Sequence, residues 1–150
     1  MHAPSQAHDR ACSTRRTVHR FRPVHGWTEQ RVWDIIGRYR VFPHPAYRLS
    51  FSRLSCRACI FGNNDQWESL RKIDPSGFRT LEDYENRFGI TIHRKLALGA
   101  RADAGQPYAA CSNPALVAEA MDPNWNGPII LPEGQWALPA GAFGSGGGPG

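Results

Sequence analysis

The stretch "RLSCRACIFGNNDQW" places Cys56 and Cys59 with two residues between them, ahead of a polar turn and a helix start. A turn of that length brings both sulfurs to one point, where thiolates can ligate a metal or the edge of a cluster. Structural zinc takes four ligands and a cubane cluster about three or four cysteines, so the pair is half a site. Cys111, in "PYAACSNP", is the third candidate ligand, because its loop precedes a helix and lets the chain return to the pair. Cys12 lies in a polar basic arm and ranks lower, with His44 and His93 as substitutes. Two other readings stay open: a thiol redox couple, and buried thiols with no chemistry. A thioredoxin-like couple sits at a helix N-terminus in a βαβ unit, whereas here "IFG" and a turn intervene, which ranks redox below metal.

Cations surround the pair. Arg53 and Arg57 flank it, Arg71 and Lys72 fall on the next helix, and Arg94 follows His93 further on. Guanidinium groups bind phosphate or sulfate oxygens through paired donors, so these five residues are candidates for holding a multiply charged anion. Arg53, three residues before Cys56, stands closest to whatever Cys56 binds. No serine or cysteine stands beside a histidine in a way that suggests acyl transfer, and Glu82, Asp83 and Glu85 read as a solvated helix face. The glycine-rich end "GAFGSGGGPG" lacks the Lys-Ser/Thr and the following helix of a phosphate loop.

These residues must be carried by one modest domain, since 150 residues fill a single core with tails. The net charge of +5 and a pI near 9.4 favour a polyanionic partner. No run approaches the roughly 18 apolar residues of a membrane span, and the N-terminus lacks the apolar core of a secretory signal. The expected location is therefore the cytoplasm, where thiols stay reduced and stapling disulfides are rare.

Residues 1–16 read as a disordered basic arm, 17–121 as the folded module and 122–150 as a Pro/Gly-rich tail. Thr28 is placed to cap a helix over "EQRVWDIIGRYR", whose stripe Val32, Ile35, Ile36 and Tyr39 predicts one buried face. Pro43 and Pro45 then force a loop or short strand. Asn63 with Gln66 has capping-box spacing for a helix carrying Trp67, Leu70 and Ile73 inward. Asp74 and Pro75 open another, which runs through Phe78, Leu81, Tyr84 or Glu85, and Phe88 to Gly89. "ITIH" reads as a short strand or extended exit, and Asn113–Pro114 opens a last short helix. The chain itself is expected to be mostly helical with few short strands. Trp27, Trp33, Trp67, Phe78, Tyr84 and Phe88 read as core, while Trp125 and Trp136 fit either packing back or meeting a partner.

"HGWTEQRVWDII" resembles the "DWTE-x-x-VW" segment of phosphoadenosine phosphosulfate (PAPS) reductase-like proteins, and "HPAYRLSFSRLSCRACIFG" resembles their "P-x-Y-x-x-G-x-x-R-x-x-C-x-x-C" segment. "DQWESLRKIDPSGFRTLEDYENRFGITIHRK" continues in the style of bacterial and phage members, some related to DNA phosphorothioation sulfur-transfer proteins. The resemblance covers residues 22–95. It implies an α/β fold, the adenine-nucleotide alpha-hydrolase-like fold, of which this segment is the C-terminal half. It also implies sulfur activation or transfer on an adenine nucleotide or phosphosulfate-type anion, with cysteines that in some relatives hold a [4Fe–4S] cluster.

This chain departs from the family pattern in three places. The Ser-Gly-Gly-x-Asp-Ser loop that holds the nucleotide phosphates does not occur, nor does the C-terminal Glu-Cys-Gly-x-His motif, and Ser50 stands where the family has glycine. The expectation is a sulfur-metabolism module, incomplete without a separate nucleotide-binding half or subunit. Arg53, Arg57, Arg71, Lys72 and Arg94 would face the anion, and Cys56, Cys59 and Cys111 would hold a [4Fe–4S] cluster or, alternatively, zinc. A second reading is a small metal-stabilised module that binds nucleic acid or assists DNA modification, its affinity falling with salt.

Overall fold

The computed structural model of the chain describes residues 21–54 and 56–144. The expected arm at 1–16, with Cys12, and the glycine-rich end at 145–150 lie outside the described residues. The described chain is mostly helical, with α1 (Glu29–Arg38), α2 (Asn64–Ile73), α3 (Pro75–Phe88), α4 (Leu98–Asp103) and α5 (Pro114–Met121). Two 3-10 turns, Pro45–Leu49 and Ala109–Ser112, complete it. β pairing among the described residues is limited to an isolated antiparallel bridge between Val41 and Ile130. "ITIH" pairs with no strand and bends from residue 92 onward. No helix among the described residues is long and apolar enough to cross a membrane.

Local chemistry sets the helix starts. Thr28 Oγ1 accepts from the Arg31 N–H at 3.2 Å, Asn63 Oδ1 from Gln66 at 2.8 Å, and Asp74 Oδ1 from Gly77 at 3.0 Å. Each satisfies a backbone donor that a helix N-terminus leaves open. α3 ends at Gly89, whose φ of 63° is a left-handed conformation that glycine adopts without a Cβ penalty.

Two apolar clusters form the core. Trp67, Leu70, Phe78, Leu98 and Ala102 join α2, α3 and α4. Leu49, Phe51 and Cys111 join the first 3-10 turn to the second and to α5. Gly105 turns the chain against α2 so closely that a Cβ there would run into the Asn64 carbonyl.

α4 has only six residues and no side-chain N-cap, too little to persist alone. It is held by Glu85, whose two carboxylate oxygens accept the N–H groups of Ile92 at 2.7 Å and Leu98 at 2.8 Å. Arg101 fastens its other side, donating to the Gly62 carbonyl at 2.6 Å and lying over the Trp67 ring. Burial pushes the Arg101 guanidinium down, and the Glu85 charge opposes that shift. Glu85 is therefore a buried structural anion rather than part of a solvated face.

α1 differs from its predicted stripe. Trp33 is the buried residue, its ring edge-on to Tyr47 at 5.1 Å, while Tyr39 is 62% exposed. The inward face is rotated because the Trp136 ring covers Gly37. Trp136 also donates its indole N–H to the Val41 carbonyl at 3.1 Å, and Trp125 stacks on Phe42 at 5.6 Å. Residues 122–144 thus pack back as a strap, with Gly141 donating to the Tyr47 carbonyl at 2.7 Å. Trp67 and Phe78 are buried as expected, whereas Tyr84 and Phe88 are exposed and stack on each other.

Candidate functional site

A cavity of about 280 Å³ opens beside the cysteine pair, between the first 3-10 turn, the C-terminal end of α2 and the end of α5. Its walls are largely apolar, including Leu49, Phe51, Leu70, Ile73 and Met121, and its polar lining is His44, Arg53, Cys56, Arg57 and Asp122. The loop that carries these groups is held from both ends. Gln66, instead of closing its capping box, donates its side-chain amide to the Arg53 carbonyl at 3.0 Å. The Gly62 N–H donates to the Cys59 carbonyl at 2.8 Å, and the Gly62 carbonyl is taken by Arg101. The core cluster on α2 and α4 therefore sets the position of the Cys loop.

Cys56 is exposed and lines the cavity, Cys59 is buried, and their thiols hydrogen-bond to one another. Burial, and then the neighbouring Cys59, push the Cys56 thiol up. Arg53 lies over the Phe61 ring at 5.8 Å, and its buried Nε has no hydrogen-bond partner. A buried guanidinium donor without an acceptor is costly, so Arg53, which also lines the cavity, has an unused donor. Arg57 meets Asp74 at 3.2 Å, a contact with ion-pair rather than hydrogen-bond geometry. Asp74 thus partly neutralises Arg57 and leaves Arg53 as the cavity's less compensated cation. His44 Nδ1 accepts from the Ala46 N–H at 3.1 Å, which commits that nitrogen to the turn.

The other expected residues lie elsewhere. Arg71 is committed to Glu68 at 2.5 Å and Asp103 at 2.7 Å, and Lys72 donates to Ser112 Oγ at 2.7 Å. Arg94 is exposed in the loop before α4, and none of these three lines the cavity. Cys111 sits in the second core cluster and interacts with Ser69 and Lys72. Burial pushes its thiol up, against the Ser69 hydrogen bond and the Lys72 charge. Among the described residues, no three His, Cys, Asp or Glu side chains come together as a metal site. The structure brings Cys56 to Cys59 and Arg53, and does not bring Cys111 to them. Arg53 was identifiable from its spacing, but the contributions of Gln66 and Arg101 were not.

No family model matches the chain, and no solved structure matches it. Over 68 residues, 45% of this chain, it is 25% identical to a protein of Escherichia phage 186 described as an uncharacterized 37.8 kDa protein in the gpa 5' region. The matched part is 20% of that protein's length.

Proposed function

We propose that this chain is a PAPS reductase-like sulfur-metabolism module of the cytoplasm, the C-terminal portion of an α/β nucleotide-handling assembly. Its cavity takes the anionic end of an adenine nucleotide or phosphosulfate-type donor beside Cys56. The observation that carries this reading is the buried, unpartnered Arg53 Nε in a cavity that Cys56 also lines. The size supports it: about 280 Å³ falls just under the roughly 300–1,000 Å³ of whole-ligand pockets, so the remainder of a nucleotide would extend toward a second half. Among the described residues two thiols converge, which is half of the ligand set that a [4Fe–4S] cluster or a closed zinc site takes.

Calorimetric titration with adenosine 3′,5′-bisphosphate tests the reading. Binding is expected, weakened about tenfold or more in Arg53→Met because a charge-assisted hydrogen bond is removed. Absence of heat at millimolar ligand, or equal affinity in the variant, would overturn it.

A further inference from the structure

Cys56 and Cys59 have the asymmetry of a working dithiol: one sulfur open to a cavity, the other buried behind it, and the two in hydrogen-bond contact. A shared metal would require further ligands, and the described residues bring none to the pair. A dithiol requires none. We propose that the pair is a two-electron couple that reduces sulfane sulfur, with Cys56 accepting the sulfur atom from a persulfide and Cys59 releasing it as sulfide. The proposal rests on the sulfur-metabolism reading above and replaces its metal with thiol chemistry.

The Cys56 thiol, which burial and Cys59 push up, first loses its proton to solvent, and the thiolate so formed attacks the outer sulfur of a persulfide R–S–SH. The S–S bond breaks, R–S⁻ leaves and takes up a proton, and Cys56 carries S–SH. The Cys59 thiolate then attacks the inner sulfur of that group, the one bonded to the Cys56 Cβ, and expels HS⁻. The sum is R–S–SH plus two thiols giving R–SH, H₂S and a Cys56–Cys59 disulfide. The sulfane sulfur gains two electrons and the pair loses them. A separate thiol reductant returns the disulfide to the dithiol by exchange through a mixed disulfide.

The geometry assigns the roles. Cys56 meets the donor because it lines the cavity, and Arg53 and Arg57 stand on the same lining to hold an anionic persulfide or departing thiolate. Cys59 is screened from the donor by burial but reaches Cys56, which makes it the resolving thiol. Cys111, in the second core cluster, is the internal control.

The test uses the full chain, reduced and anaerobic, with glutathione persulfide as probe, followed by acid quench, alkylation and peptide mass mapping alongside sulfide measurement. The wild type is expected to release one sulfide per chain and to acquire a Cys56–Cys59 disulfide. Cys59→Ser should stop with one extra sulfur atom on Cys56 and sulfide release reduced at least tenfold, and Cys56→Ser should leave Cys59 unmodified. Sulfide release unchanged in Cys56→Ser, extra sulfur on Cys111 with the pair intact, or no disulfide in the wild type would each overturn the proposal. Circular dichroism of each variant identifies loss of folding, and Cys59→Ala supplies a second resolving-thiol variant. Because the probe contains no nucleotide, this experiment can fail while adenosine 3′,5′-bisphosphate still binds, and the reverse.

Discussion

Replacing Glu85 by glutamine exchanges one buried carboxylate oxygen for an amide NH₂ and removes the charge. In the native protein the two oxygens accept the Ile92 and Leu98 N–H groups at 2.7 and 2.8 Å. A hydrogen bond to a charged group contributes about 1.5–3 kcal/mol and a neutral one about 0.5–1.5 kcal/mol. The glutamine carbonyl can keep one bond at neutral strength, a loss of about 1 kcal/mol. The other N–H then faces an NH₂ donor and loses its partner entirely, a further loss of about 1.5–3 kcal/mol. The expected destabilisation is therefore about 3 kcal/mol, before any added cost to Arg101 from losing its countercharge. Urea unfolding followed by tryptophan emission reads this directly, since Trp67 is buried against Arg101 in the same cluster. With a slope of about 1–3 kcal/mol per molar urea, the midpoint should fall by about 1–3 M. Asp83→Asn, at an exposed position on the same helix, should stay within about 0.5 kcal/mol of wild type. A Glu85→Gln variant equally close to wild type would refute the clamp.

Ser50 has a φ of 73°, a left-handed conformation that glycine adopts without a Cβ penalty, so glycine should be the better residue there. Ser50→Gly is expected to stabilise the fold by about 0.5–1 kcal/mol, the left-handed penalty less glycine's extra unfolded-state entropy, and a lower melting temperature would contradict this. Alkaline pH should expose the burial of Cys111. Its folded thiol is held above the ordinary value of about 8.5, so above that pH the unfolded chain loses the proton while the folded chain keeps it, and stability falls as pH rises. Cys111→Ala should flatten the stability profile above about pH 8.5, and an unchanged slope there would show that another group governs it.

Helix starts were legible because a cap is chemistry confined to four residues, as at Thr28, Asn63, Asp74 and Asn113. The Cys56–Cys59 contact was legible for the same reason. α4 was not, because a six-residue helix exists only through Glu85 and Arg101, and neither contact has a local signature. A signal for Glu85 was present: with Phe78 and Leu81 it continues one helix face at i, i+3 and i+7, so a carboxylate stands within an apolar stripe. The cationic residues divided by tertiary position rather than by type. Arg71 and Lys72 found partners on neighbouring elements, while Arg53 and Arg57 reached the cavity. Nothing within a few residues of Cys111 indicates that its loop returns to Phe51 rather than to Cys59.

The strap at 122–144 also bears on how the chain is made. The face of α1 around Gly37 is covered by Trp136, and Phe143 lies edge-on to Trp33 at 6.5 Å, so α1 is completed by residues synthesised roughly 100 positions later. At about 5–20 residues per second, a ribosome leaves that apolar face without its cover for roughly 5–20 s, plus the time for the strap to clear the exit tunnel. The α2–α4 cluster, assembled from neighbouring segments, can form in that interval. α1 is thus made before the α2–α4 cluster yet completes its packing after it.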